Sequence, residues 1–370
     1  MKKLFIALIA ATTVSAATTQ ELERRIDILS KEVQSMQSKG LSSKVSLGGY
    51  GEIIYTDNSE GTSQWDTLRN VLYVGYQFSD KWSFMTEIEI EHADEIYTEF
   101  AEIRYAHSDL LNFKAGLLLT PIGIVNTEHE PTRFIGVKRP RLENAIIPTT
   151  MRENGVGVYG TWNNLEYKYY IMNSLKSWDG SAGFSEGGVR GGRQKGAKAL
   201  AGHWSHVARV DYGFDFGLDL GASLYMGTTN GDAQGEHNIY DVHLAYNYKG
   251  LMVKALYVYS TLDGKEFSAA SGNVVADVMQ GYYVDLAYNI THGKTYSIMP
   301  YVRYESYNTQ DDVDASVGVA DKANDKENIT AGIMYKPLDK VSFKADFTKL
   351  NNASNAGESE EVNFGIGWEY

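Results

Sequence analysis

The chain ends in Glu361-Val-Asn-Phe-Gly-Ile-Gly-Trp-Glu-Tyr370. Val362, Phe364, Ile366, Trp368 and Tyr370 alternate with Glu361, Asn363, Gly365, Gly367 and Glu369. A period of two puts one set on each face of a β-strand. One face is too apolar for water and the other too polar for a core, so this strand divides an apolar medium from an aqueous one. Upstream, Val341, Phe343, Ala345 and Phe347 alternate with Ser342, Lys344, Asp346 and Thr348. Further up, Phe216, Leu218, Leu220, Ala222 and Leu224 repeat the pattern against Gly217, Asp219, Gly221, Ser223 and Tyr225.

Read in this way, the chain from Lys44 onward gives sixteen candidate strands, near 44–56, 68–79, 82–91, 97–107, 111–119, 154–162, 165–173, 204–213, 216–227, 239–248, 250–260, 280–291, 296–306, 327–336, 341–350 and 360–370. The connectors alternate between short and long. Ser79-Asp80-Lys81, Asn163-Asn164, Phe214-Asp215, Lys249-Gly250, Thr291 to Thr295 and Pro337-Leu338-Asp339 are short. Segments 57–67, 120–153, 174–203, 228–238, 261–279, 307–326 and 351–359 are long. An even strand count with tight turns at one end and long loops at the other is the pattern of a membrane barrel. Closure satisfies every backbone group without water. The fold class expected is all-β, a 16-stranded antiparallel transmembrane β-barrel preceded by a short N-terminal coiled-coil helix. Pro300 falls within a strand and is expected at a bulge or an end.

Composition agrees. The 370 residues include 36 Gly, 26 Tyr and 6 Pro but no Cys, which excludes disulfide scaffolds, thiolate metal sites and cysteine nucleophiles. A formal charge of -13 argues against a nucleic-acid partner. The mean hydropathy of -0.32 does not argue against a membrane, because outward apolar and inward polar residues cancel in a barrel.

Lys2 and Lys3, the apolar run Leu4 to Ala11 and the small residues to Ala17 read as a signal peptide over 1–17. The run is far short of the ~20 residues that span a bilayer as a helix. In 18–40, Leu22, Ile26, Leu29, Val33 and Met36 follow a four-three-four-three spacing, a heptad seam. Thr19 suits the N-cap and Gly40 the stop. The barrel is expected over 41–370.

Gly116-Leu-Leu-Leu-Thr-Pro-Ile-Gly123, Asn126, Glu128-His-Glu-Pro131 and Ile146-Ile-Pro-Thr-Thr-Met-Arg-Glu-Asn-Gly-Val-Gly157 together resemble the phosphate-selective porin O/P family. The C-terminal strand looks like the assembly signal of bacterial outer-membrane proteins, with Tyr370 where the consensus has Phe. The resemblance implies a homotrimeric barrel in the outer membrane of a Gram-negative cell, with the N-terminal helix in the periplasm. It implies passive diffusion of small hydrophilic solutes, chiefly small anions such as phosphate, past an infolded loop. Outer-membrane lipid and lipopolysaccharide are the implied surroundings, with no nucleic acid and no cofactor. A barrel serving adhesion or cell-wall tethering, or an outer-membrane enzyme, are the alternative readings.

Connector 120–153 holds four of the six prolines and is expected to be a formed element that folds into the lumen. Its cations Arg133, Lys138, Arg139, Arg141 and Arg152 are the candidate pore-constriction and anion-binding residues, where water screens least. Alternation assigns Arg104, Lys114, Lys168, Arg209, Lys254, Arg303 and Lys344 to the lumen, mixed with Glu87, Glu89, Glu91, Glu102, Asp219, Asp285 and Asp346. Arg190, Arg193, Lys195 and Lys198 in the Gly-rich connector 174–203 are the candidate outer-mouth cations. The acidic connector 307–326 reads as a solvated loop or as a divalent-ion bridge to lipopolysaccharide. Gly155-Val-Gly-Val-Tyr-Gly160 fits a dinucleotide pattern, but a strand follows where a helix must start. His203 and His206, three apart at a strand entry, face opposite ways and make no metal pair. No nucleophile, histidine and acid stand together, so no catalytic residue and no enzyme activity is expected.

Overall fold

A computed structural model describes residues 44–370. The signal peptide and the coiled-coil helix expected at 1–17 and 18–40 lie outside the described residues. The rest is one closed ring of sixteen antiparallel strands in chain order, β1 sealing against β16 from Tyr50 opposite Glu369 to Asn58 opposite Glu361. The strands are β1 (Val45–Asn58), β2 (Gln64–Gln77), β3 (Trp82–Glu91), β4 (Glu95–Ala106), β5 (Asn112–Leu119), β6 (Arg152–Trp162), β7 (Leu165–Asn173) and β8 (Trp204–Phe214). They continue as β9 (Leu218–Thr228), β10 (Glu236–Tyr248), β11 (Leu251–Leu262), β12 (Val278–Tyr288), β13 (Ser297–Asp312), β14 (Asp325–Leu338), β15 (Val341–Asn352) and β16 (Ser359–Glu369).

The alternation read from the sequence is the alternation of the wall. On β15, Ser342, Lys344, Asp346 and Thr348 are buried inside while Phe343 and Phe347 are exposed outside, where lipid replaces water. Pro300 keeps register with Ile333 on β14, and the pairing of β13 with β12 stops one residue short of it, at Tyr301. It stands at an end of that ladder, so its missing N–H removes no bond there.

The structure corrects the expected connectors. The β3–β4 connection is only residues 92–94, so the loop end is not uniformly long. β13 runs to Asp312 and β14 begins at Asp325, which moves three acids of the expected loop, Asp311, Asp312 and Asp325, into strand ends. Two helices stand in the connectors, α1 (Leu142–Ala145) in the segment expected to be a formed element and α2 (Gly264–Ser271) in one read only as a long loop.

The core lies inside the ring. Leu118, Ile122, Ile124, Leu142, Ile146 and Ile147 pack against inward side chains of β7 to β13, among them Met172, Val207, Tyr225, Ile239, Val258 and Tyr283. Phe184 and Val189 of 174–203 and Phe267 of α2 complete the cluster from the loop end. One side of the lumen is therefore a hydrophobic interior, whereas the buried inward residues of β14–β16 and β1–β4 are mostly polar, with Tyr50, Val71, Phe100 and Met334 among them.

Candidate functional site

The 120–151 segment enters the lumen from the end of β5 and is seated on the inner face of the wall. Its first turn is clamped on β8 and β10. Asp241 accepts from the Gly123 N–H at 3.0 Å, and Arg209 donates to the Gly123 carbonyl. Gly123 has φ 66°, and a Cβ there would sit 2.5 Å from Glu143 Oε2, so glycine leaves room for the next contact. Glu143 Oε2 accepts from Ile124 N–H and Val125 N–H at 3.0 and 2.8 Å, while Tyr283 of β12 donates to its Oε1 at 2.7 Å. Burial pushes the Glu143 carboxyl up to about 7, against these donors.

The tip then follows β16, the strand whose pattern decides the fold. Lys138 and Arg141 both donate to Glu361, at 2.9 and 2.8 Å. Val137 lies over Gly365, and Pro131 lies so close to Gly367 that a Cβ there would be 2.7 Å from the proline ring. Arg133 reaches Glu369 at 3.7 Å. On β13 and β15 the wall binds loop backbone: Arg303 donates to the Lys138 carbonyl, Lys344 to the Phe134 and Gly136 carbonyls, and Asp346 accepts from the Val137 N–H. Glu305 accepts from the Leu142 N–H at 3.2 Å. At the far side His129 is buried 3.6 Å from Glu87 of β3, which also accepts from Tyr50, and Glu130 accepts from Tyr73 of β2. Burial opposes charge on His129, but the Glu87 carboxylate 3.6 Å away and the charges of Glu99 and Glu130 outweigh it and hold the imidazole up to about 9.

Each cation singled out in the sequence has a definite place. Arg139 donates to the His129 carbonyl at 2.7 Å and stands over the Phe134 ring, so it braces the loop. Arg152 is buried at the start of β6, 2.7 Å from Glu99. Lys138, Arg141 and Arg133 keep side-chain exposures of 32, 35 and 57%, and these three face water. Arg104 and Lys114 share Glu102; Lys168 pairs with Glu166, Arg209 with Asp211 and Arg303 with Asp285. Lys254 donates to the Arg133 carbonyl, 3.8 Å from Glu128.

At the loop end, 174–203 folds back over the lumen: the Val189 N–H donates to the Ala145 carbonyl and Arg193 to the Thr149 and Thr150 carbonyls. Lys195 stands over the Tyr97 ring at 5.1 Å and Lys198 is exposed. Desolvation lowers both guanidiniums, Arg190 to about 9 with repulsion from Arg193 added and Arg193 to about 10 with repulsion from Arg152 added. Among the acids that seat the loop, alternation places Asp346 in the lumen and Glu361 on the polar face of its strand, whereas Asp241 and Glu305 are not singled out by the sequence. Alternation faces the strand acids inward, but nothing local tells which loop atom each will meet.

A closed sixteen-strand antiparallel ring with a loop folded against its inner wall is the architecture of outer-membrane porins. The chain superposes on the outer-membrane channel DcaP of Acinetobacter baumannii (TM-score 0.59, 11% identity, 88% of this chain and 97% of that one). It matches OmpF of Salmonella typhi, solved with daunomycin (0.58, 13%, 88% and 97%), and an anion-selective porin from Comamonas acidovorans (0.57, 13%, 88% and 99%). At these identities the likeness is one of fold. No family model matches the chain. It belongs to the same family as an uncharacterized protein of Aquifex aeolicus (strain VF5), 36% identical over 330 residues, which cover 82% of this chain and 75% of the other.

Proposed function

We propose that the chain is an outer-membrane channel for passive diffusion of small hydrophilic solutes, with a modest preference for anions, and that it works without catalysis. One observation carries the preference. The infolded loop presents Lys138 and Arg141 to water over a single shared acid, Glu361, whose side chain is only 6% exposed. Two partly exposed cations over one covered carboxylate leave a local positive excess at the narrowed lumen. Arg190, Arg193 and Lys195 at the mouth extend it: among the described residues none of their side-chain nitrogens lies within 4.0 Å of a carboxylate, although Glu153 accepts from the Lys195 backbone N–H at 3.3 Å. The resemblance over 116–157 supports a homotrimer and small anions, phosphate-like or other. The reported selectivity of the Comamonas acidovorans neighbour agrees in sign. Purified protein in a planar bilayer tests the reading: stepwise conductance is expected, with a reversal potential across a potassium chloride gradient that favours chloride. A folded barrel that conducts nothing would sink it.

A further inference from the structure

The lipid-facing wall carries a depression of about 350 Å³ on the outside of β3 to β7. Its cause is one small side chain. Ala115 stands between Ile103 and Val156 in one cross-strand row, and the row toward the turn end runs Trp82, Tyr105, Phe113, Val158, Tyr169. The bulky row makes a ridge and Ala115 makes the hollow. Lys114 borders it through its backbone but sends its ammonium inward, 5.3 and 5.1 Å from the Tyr159 and Tyr170 rings. The lining side chains are thus aliphatic or aromatic.

The rim has charge of both signs. Lys81, in turn 78–81, holds its ammonium 5.9 Å from the centroid of the Tyr105 ring. Asp80 precedes it, and the neighbouring turn 107–111 carries Asp109. Short turns of such barrels face the periplasm, so this rim meets the glycerophospholipid leaflet. Trp82 and Tyr105 sit where aromatic girdles meet headgroups.

We propose that this depression is a binding site for one zwitterionic glycerophospholipid, its acyl chain over Ala115, its phosphate at Lys81 and its headgroup ammonium toward Asp80 and Asp109. One lysine and two aspartates on these two turns disfavour a purely anionic headgroup and suit one that carries both charges. A second copy of the chain on this face is the competing occupant.

Native mass spectrometry of the full-length protein, released from vesicles of equal phosphatidylethanolamine and phosphatidylglycerol, decides. One phosphatidylethanolamine per chain is expected to persist, and Ala115→Phe, which fills the hollow, is expected to reduce it about tenfold. Asp80→Asn together with Asp109→Asn, which removes the acids that disfavour an anionic headgroup, is expected to abolish the preference over phosphatidylglycerol with the barrel still folded, and this variant decides if Ala115→Phe does not fold. The proposal is overturned if wild-type protein retains neither lipid, or if either variant retains the wild-type pattern. It is equally overturned if Ala115→Phe changes the number of chains per particle and not the bound lipid.

Discussion

Lys344 is 5% exposed inside the barrel, and its ammonium donates to the Phe134 and Gly136 carbonyls at 2.6 and 2.8 Å, 4.0 Å from the centre of the Phe134 ring. It is a buried cation satisfied by backbone oxygens and an aromatic face. Replacing it by Met keeps the stem and strands two carbonyls, at about 1–3 kcal/mol for each buried group left unmade. That energy falls on the loop tip, because the β15 ladder does not use the ammonium. Lys344→Met is therefore expected to leave a heat-modifiable barrel but to make cleavage at Arg133 and Lys138 by trypsin faster than in wild type. An unchanged digest would show that the tip is held without Lys344. Alternation alone placed Lys344, Arg303 and Arg209 on the inner face. Their partners, 210, 165 and 86 residues distant, leave no trace in local spacing. Gly365 and Gly367 read merely as the small members of a polar face. Only the folded loop shows that they make room for Val137 and Pro131.

Among the elements, the strands were the most legible because each obeys one rule over many residues. The loops were the least. The infolded 120–151 segment was recognised through resemblance and its prolines, whereas α2 and the packed 174–203 loop went unseen. Their anchors, Phe267, Phe184 and Val189, are isolated apolar residues in Gly- and Ser-rich sequence, without a period to betray them. The infolded element also brings a pH dependence. Glu143 and His129 both have raised pKa values in the folded chain, about 7 against an ordinary 4.5 and about 9 against 6.5. For either group the stabilisation is complete below the ordinary value and is lost as pH rises through the folded one. Loop stability should thus fall from pH 4.5 to 7 through Glu143 and from 6.5 to 9 through His129. Glu143 alone accounts for roughly 3 kcal/mol at 1.36 kcal/mol per unit. Glu143→Gln can still accept from the Ile124 and Val125 N–H groups and face the Tyr283 hydroxyl. It is expected to flatten the change in urea stability between pH 4.5 and 7. An equally steep change in the variant would refute the assignment to Glu143.

At the scale of the whole molecule, a formal charge of -13 would by itself draw cations. That total is spread over loops, rims and the ion-paired lumen, and screening confines an exposed charge to about 8 Å at physiological salt. Most lumen cations are cancelled nearby: Arg303 by Asp285, Arg209 by Asp211, Arg152 by Glu99. What a solute meets is the residue of this pairing, and at the infolded loop that residue is Lys138 and Arg141 against Glu361. Arg190 and Arg193, although lowered, stay protonated at neutral pH and add the same sign at the mouth. Changing Lys138 and Arg141 together to Ser turns a local +1 into -1. With partly screened charges worth at most about 1 kcal/mol each, the chloride-to-potassium permeability ratio is expected to fall about three- to tenfold. Arg139→Ser is the contrast, since Arg139 braces the His129 carbonyl: it should loosen the loop to trypsin and move the reversal potential less. A channel that prefers potassium before any change, and keeps that preference in the Lys138 and Arg141 double variant, would mean that acids elsewhere on the wall set the selectivity.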